Sequence, residues 1–345
     1  MSSRIGQPRL LREINRSRVL LHLRDHGASS KAELGKALAF SKVTASSVVE
    51  ELLEEDRIQR CDAHASKNEA QRNVKFRINE GYGHAAVVDI DAEETAIVFV
   101  NLLGTEVSRC RFDTPKTASS LVSELVERIN AFGRASRLHC AVVLIPAALD
   151  NEGNIANPGQ PGYLAGLRLR EELELKTGGL KIIIENDLNA AALGELSRGV
   201  ATSWKYFGFL AIRASGTGMG LITNGRIYHG ANGFAGEIGK LFDRRLGMTL
   251  DAIGHSDDLR WRIVEDELLN LSAITAAIMD LQGFVYHSTA LNRRLHLQKR
   301  APKFLSQNWQ TELDFVESRL GEKIFEIGGI QLAMQEIWRE AAQYE

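Results

Sequence analysis

A chain of 345 residues with 44% apolar and 25% charged residues is long enough for two or three domains and has the make-up of an ordinary water-soluble protein. Its three cysteines, Cys61, Cys110 and Cys140, are odd in number and far apart, which argues against a disulfide framework and against a zinc site built from local spacing. The N-terminus is polar and basic, and no apolar run nears the roughly 20 residues that cross a bilayer, so a cytoplasmic chain without membrane contact is expected.

Charge divides the chain. Residues 1–80 hold 15 Lys and Arg against 11 Asp and Glu, whereas the remainder holds 27 against 33. The most basic stretch carries Arg4, Arg9, Arg12, Arg16, Arg18 and Arg24, with only Glu13 and Asp25 nearby, and Arg16 is expected to follow DNA phosphates. Ser30 followed by Glu33 forms a capping-box pattern ahead of a short helix whose apolar stripe is Ala32, Leu34, Ala37 and Leu38. Ala39 and Phe40 make a turn. Ser41 caps a second helix that buries Val43, Val48, Leu52 and Leu53 and presents Lys42, Thr44, Ser46 and Ser47. This is the pattern of a helix-turn-helix, in which side chains from the first turns of the second helix reach base edges or phosphates. Residues 57–60 and 74–78 alternate polar and apolar like two strands of a hairpin, and Lys67 and Arg72 in the loop between them would make it a basic wing. A helical hairpin used only for packing gives the same local pattern.

Beyond residue 80 the pattern becomes α/β. Strands are expected at Ala85–Asp91, Thr95–Asn101 and Thr105–Phe112, then a helix near Ser119–Phe132. Buried strands follow at His139–Pro146 and Leu180–Glu185. Three strands, a helix and further buried strands is the order of an actin-like (ribonuclease H-like) fold, although periodicity alone does not separate it from other α/β layouts. Glu185-Asn186-Asp187 ends a buried strand, where an amide and a carboxylate can bind sugar hydroxyls or simply cap the next helix. Gly216-Thr217-Gly218-Met219-Gly220 can offer backbone N–H groups to a phosphate or form a tight hairpin.

The stretches IIIENDLNAAALGE (182–195) and ASGTGMGLITNGRIYHGANGFAGEIGK (214–240) resemble the ROK family, which contains bacterial sugar kinases and sugar-responsive repressors. NRSRVLLHLRDHG (15–27) and the helix-turn-helix resemble the DNA-binding module of the repressor branch, and IGGIQLA (327–333) resembles the family's closing helix. The resemblance implies a two-lobe sugar-kinase α/β fold preceded by a winged helix-turn-helix. The divisions would be residues 1–80 for DNA, 81–195 with a closing helix at about 325–345 for the first lobe, and 196–324 for the second, dimerising lobe. It also implies that Asn186 and Glu237 hold sugar hydroxyls and that Asp187 matches the kinases' general base. Gly216, Thr217 and Gly218 match an ATP-contacting loop.

Departures from the family pattern weigh against catalysis. Lys240 stands where the family has a histidine that contacts sugar and ligates zinc, and no cysteine follows Cys140, so neither zinc nor another cofactor is expected. Asp89-Ile90-Asp91-Ala92-Glu93 replaces the kinases' Asp-x-Gly-x-Thr, bringing bulk and negative charge to the phosphate loop. Asp187 is then a vestigial base. Lys240 would either pair with Glu237 or bind an anionic effector. The expected protein is a homodimeric or homotetrameric regulator, a repressor of carbohydrate genes, that binds an operator and senses a sugar, sugar phosphate or sugar acid. The competing expectation is an active sugar kinase with an accessory DNA-binding domain.

Overall fold

The computed structural model describes residues 7–61, 74–150, 153–158, 162–213, 215–244, 247–254, 261–287, 289–290, 293–308 and 313–343. The chain opens with three helices, α1 (Gln7–His26), α2 (Lys31–Ala37) and α3 (Lys42–Glu54). A small antiparallel sheet accompanies them, in the order β1 (Ser29–Ser30), β3 (Lys75–Ile78), β2 (Ile58–Arg60). Both helix starts are fixed by their caps: Ser30 and Glu33 form the reciprocal capping box, and Ser41 Oγ accepts from Thr44 N at 3.0 Å. Ala39, between them, takes the left-handed φ of 56° that turns the chain. Val19, Leu23, Leu34, Val49, Leu52, Ile58 and Phe76 close a core here. Val43, expected on the buried face of α3, lies instead on its outer face. The loop bearing Lys67 and Arg72 lies outside the described residues.

The body contains two five-stranded sheets of the same topology. The first comprises β4 (His84–Ile90), β5 (Glu94–Asn101), β6 (Glu106–Asp113), β7 (Leu138–Ile145) and β8 (Lys181–Asn186), ordered β8-β7-β4-β5-β6. The second comprises β9 (Phe207–Arg213), β10 (Gly216–Thr223), β11 (Arg226–Ile227), β12 (Gly283–Tyr286) and β13 (Asp314–Glu317), ordered β13-β12-β9-β10-β11. In each, an antiparallel meander is extended on its first strand by two parallel strands. The sequence carries no repeat that reveals this duplication, because each sheet needs only buried strands in the right order and not the same residues.

Helices α4 (Ala118–Gly133) and α5 (Leu169–Lys176) cover the first sheet. α6 (Asp187–Arg198) and α10 (Ile324–Ile337) fill the space between the sheets. The short α7 (Leu250–Gly254), α8 (Trp261–Met279) and α9 (Leu297–Asn308) belong to the second sheet's side. The crossing of α6 and α10 is tight because glycine faces backbone: a Cβ on Gly328 would overlap the Ala190 carbonyl, and one on Gly194 would sit 2.8 Å from the Ile324 carbonyl oxygen. A final turn, α11 (Arg339–Ala342), packs on α1. Trp338, just before it, is buried in the core of the N-terminal helices together with Leu102 from the β5–β6 turn, and its indole Nε1 donates to the Leu102 carbonyl at 3.0 Å. The N-terminal unit and the body thus share side chains.

Candidate functional site

The outer face of α3 carries four of the expected DNA-contacting groups. Their hydroxyls are already hydrogen-bonded: Ser41 Oγ to Thr44 Oγ1 at 2.9 Å, Ser46 Oγ to Lys31 Nζ and Glu50 at 2.9 Å each, Ser47 Oγ to Glu51 at 3.2 Å. Arg16 departs from the expectation. Its guanidinium is only 12% exposed, pairs with Glu55, and lies 3.6 Å from both Glu51 and Glu13. Three carboxylates on the acidic end of α3 and on α1 neutralise it, so it braces the two helices and is not free to meet phosphates. Arg12 joins Glu51 at 2.8 Å, and Arg18 lies over Phe40 and donates to the Leu38 carbonyl. The cations left without an ion pair among the described residues of this face are Lys36, Lys42 and Arg60. With Lys31, which pairs with Glu50, they rim a groove of about 780 Å³ between α2, the start of α3 and the small sheet.

The second site lies between the two sheets, where β4, β8 and β9 end. Asp187, first residue of α6, is 3% exposed, and Arg213 Nη1, from the end of β9, donates to it at 2.7 Å. The same guanidinium reaches Asp89 at 3.2 Å and Asp91 at 3.3 Å and stacks 3.8 Å above the Phe325 ring. Asp89 and Asp91 are the residues expected in the eroded phosphate loop. Burial pushes the Asp187 carboxyl up to about 7, against the pull of Arg213, and neighbouring Asp89 and Asp91 push the same way. Asp89 is raised for the same first reason. Four groups from three elements therefore form one buried knot, with the guanidinium at its centre.

The other side of the cleft is closed by an internal anion. Asp251, on α7, accepts from Thr217 N–H at 2.6 Å and from Lys240 Nζ at 2.9 Å. Lys240 thus pairs with Asp251 and not with Glu237, the partner expected for it. Burial raises the Glu237 carboxyl, and Lys240 offsets part of that. Gly216, Thr217 and Gly218 are strand, not an open loop. They belong to β10, with Gly216 opposite Arg213, and a Cβ on Gly218 would meet Leu188 of α6 at 2.5 Å. The glycines here serve close packing, and the N–H expected to meet a phosphate meets a carboxylate. Thr217 Oγ1 faces the cleft without a partner among the described residues.

Asn186 behaves as a helix cap. Its Oδ1 accepts from Leu188 and Asn189 N–H, and its Nδ2 donates to the Ala147 carbonyl at 3.2 Å. What remains between Asn186, Asp187, Glu237 and Lys240 is a cavity of about 40 Å³, far below the roughly 300 Å³ at which small-molecule sites begin. In this conformation the expected effector residues are together but the space for an effector is not. A separate cavity of about 300 Å³ is lined by Leu149, Glu185 and His229. His229 Nε2 lies 2.9 Å from Glu185, which raises the imidazole's pKa. Arg213, Asp251 and His229 escaped the sequence reading. A charged residue ending an apolar strand directly before the glycine stretch was the one available signal for Arg213. Among the described residues no cluster of three or more His, Cys, Asp and Glu could hold a metal, and no helix is long and apolar enough to cross a membrane.

Two sheets of one topology flanking a cleft at their strand ends define a sugar-kinase-like α/β fold, joined here to an N-terminal helix-turn-helix unit. Residues 85–247, a little under half of the chain, match the ROK family. The xylose repressor of Staphylococcus xylosus is 25% identical over 283 residues, spanning 80% of this chain and 71% of its own length. The DNA-binding transcriptional dual regulator NagC of Escherichia coli is 22% identical over 260 residues, 71% of this chain and 61% of its own. The crystal structure of a ROK family transcriptional regulator, homolog of the E. coli MLC protein, superposes with a TM-score of 0.69 at 17% identity and covers 97% of this chain and 98% of that one. That match includes the N-terminal helices as well as both lobes.

Proposed function

We propose that the chain is a sugar-responsive, DNA-binding transcriptional repressor whose kinase-like cleft no longer transfers phosphate. The observation that carries the second half is Arg213. Its guanidinium takes the place among Asp89, Asp91 and Asp187 that a phosphoryl donor with its metal would need, while Asp251 already occupies the Thr217 amide. A nucleotide entering here must break three ion pairs, two of them to nearly buried carboxylates, and leaving a buried charge unpaired costs several kcal/mol. The helix-turn-helix with its rim of unpaired cations, and the similarity to xylose and NagC repressors, support the first half.

Effector binding then requires the lobes to part. Arg213 and Asp251 come from the second lobe's side, whereas Asp89, Asp91 and Asp187 lie at the strand and helix ends of the first, so opening the cleft and breaking the knot are one event. Phe325, under the guanidinium, begins α10, and Trp338, in the core of the DNA-binding unit, follows its end. A helix of 14 residues, roughly 20 Å long, links the two. The repressor would read a sugar through the rearrangement of this helix, with two copies holding two half-sites. A coupled assay with ATP and a panel of aldoses tests the reading. No turnover above background is expected, and turnover abolished by Asp187→Asn would overturn it in favour of a kinase.

A further inference from the structure

We propose that Val43 reads a base: its isopropyl group contacts the C5-methyl of a thymine in each operator half-site. This rests on the DNA-binding reading above. Val43 is the second residue of α3 and is 80% exposed. Folding gives no reason for a valine there. A β-branched side chain loses rotamer freedom in a helix, and at this exposure it recovers almost no burial. Its buried counterparts on α3 are Ala45, Val48, Val49 and Leu52, on the opposite face.

The surroundings select the occupant. Val43 lies between Lys42, which has no ion pair among the described residues, and Ser47, one turn on, whose hydroxyl bonds Glu51. Lys36 and Lys42 bring unpaired positive charge to this end of the helix, as an approach to a polyanion requires. The first residues of a recognition helix are the ones that meet base edges in the major groove. The apolar group displayed there is the thymine methyl, and a β-branched side chain, held in one rotamer by its own helix, meets it with little further loss of freedom.

Random-sequence duplexes are enriched on the 345-residue chain, and the enriched duplex is remade with each thymine replaced singly by deoxyuridine, which removes only the methyl. At one thymine per half-site the replacement should weaken the parent about fourfold, the factor for one buried methyl group. Val43→Ala, which removes the contact from both half-sites, should bind the thymine duplex about sixteenfold more weakly and no longer distinguish the two bases, with unchanged affinity for unenriched duplex. Equal deoxyuridine sensitivity in parent and Val43→Ala at every position would overturn the assignment while DNA binding stands. A changed sedimentation behaviour of Val43→Ala with unaltered base preference would also overturn it, marking a protein contact instead. If the parent enriches no sequence, the assignment falls together with the DNA-binding reading.

Discussion

Arg213 is a single side chain on which two predictions turn. It is 11% exposed and faces three carboxylates, so Arg213→Ala leaves Asp89, Asp91 and Asp187 without their counter-ion. Removing one partner of a buried ion pair costs about 3–5 kcal/mol, and the loss should appear in urea unfolding at pH 8. Part of it should return at pH 5, where burial-raised carboxyls take up protons. The second prediction concerns Asp187 itself. Its pKa in the folded chain, about 7, lies above the roughly 3.9 of an unfolded aspartate. The folded state therefore binds the extra proton, and stability from this group is full below about pH 4 and lost as pH rises through 7. Asp187→Asn should flatten the urea midpoint between those limits relative to the parent. A parent and variant with parallel pH profiles would exclude the raised carboxyl. None of this network is local: Asp89 and Asp187 stand far from Arg213 along the chain, and only the meeting of strand ends from two sheets joins them. Lys240 illustrates the same limit, since Glu237 was the near neighbour in sequence but Asp251 is the partner in space.

At the scale of elements, what could be read from the sequence is what short-range physics determines. The two caps of the helix-turn-helix, the apolar stripes and the buried strands at 84–90, 138–145 and 181–186 follow from spacing and residue type, and strand ends differ from expectation by only a residue or two. The glycine stretch 216–220 was ambiguous because a phosphate loop and a strand pressed against a helix ask for the same residue. The structure resolves it through α6: a Cβ on Gly220 would overlap the Leu188 carbonyl. Val43 is misplaced by its apolar type and not by its spacing: at 3.6 residues per turn it falls on the far side of α3 from Val48 and Leu52, and it lies exposed there. The Ser41 cap gives a third prediction. Ser41→Ala removes the acceptor for Thr44 N–H and should cost about 1 kcal/mol of stability. The first turn of α3 would fray, so duplex affinity should fall more than thermal stability does, as fluorescence anisotropy beside calorimetry would reveal.

For the whole molecule the decisive feature is α10, because it touches both ends of the proposed response. Phe325 carries the Arg213 guanidinium at 3.8 Å, and Trp338 holds the Leu102 carbonyl, with Arg24 of α1 stacked 5.5 Å from its ring. Geometric continuity alone is not coupling; coupling requires that a change at one end alter the equilibrium at the other. A double-mutant cycle measures this. Arg213→Ala opens the knot without touching the DNA-binding unit, so a linked protein should change its duplex affinity by a measurable factor. Trp338→Phe keeps an aromatic ring in the shared core but removes the indole N–H, and should weaken the attachment of the head by about 1 kcal/mol, the worth of one buried hydrogen bond. If α10 carries the signal, the effect of Arg213→Ala on duplex affinity should shrink in the Trp338→Phe background. Equal effects in both backgrounds would mean that cleft and head communicate by another route, such as the spacing of two protomers, or not at all. The sign also carries information: weaker binding in Arg213→Ala would mark the closed cleft as the DNA-binding state, and an effector that parts the lobes as the signal that releases the operator.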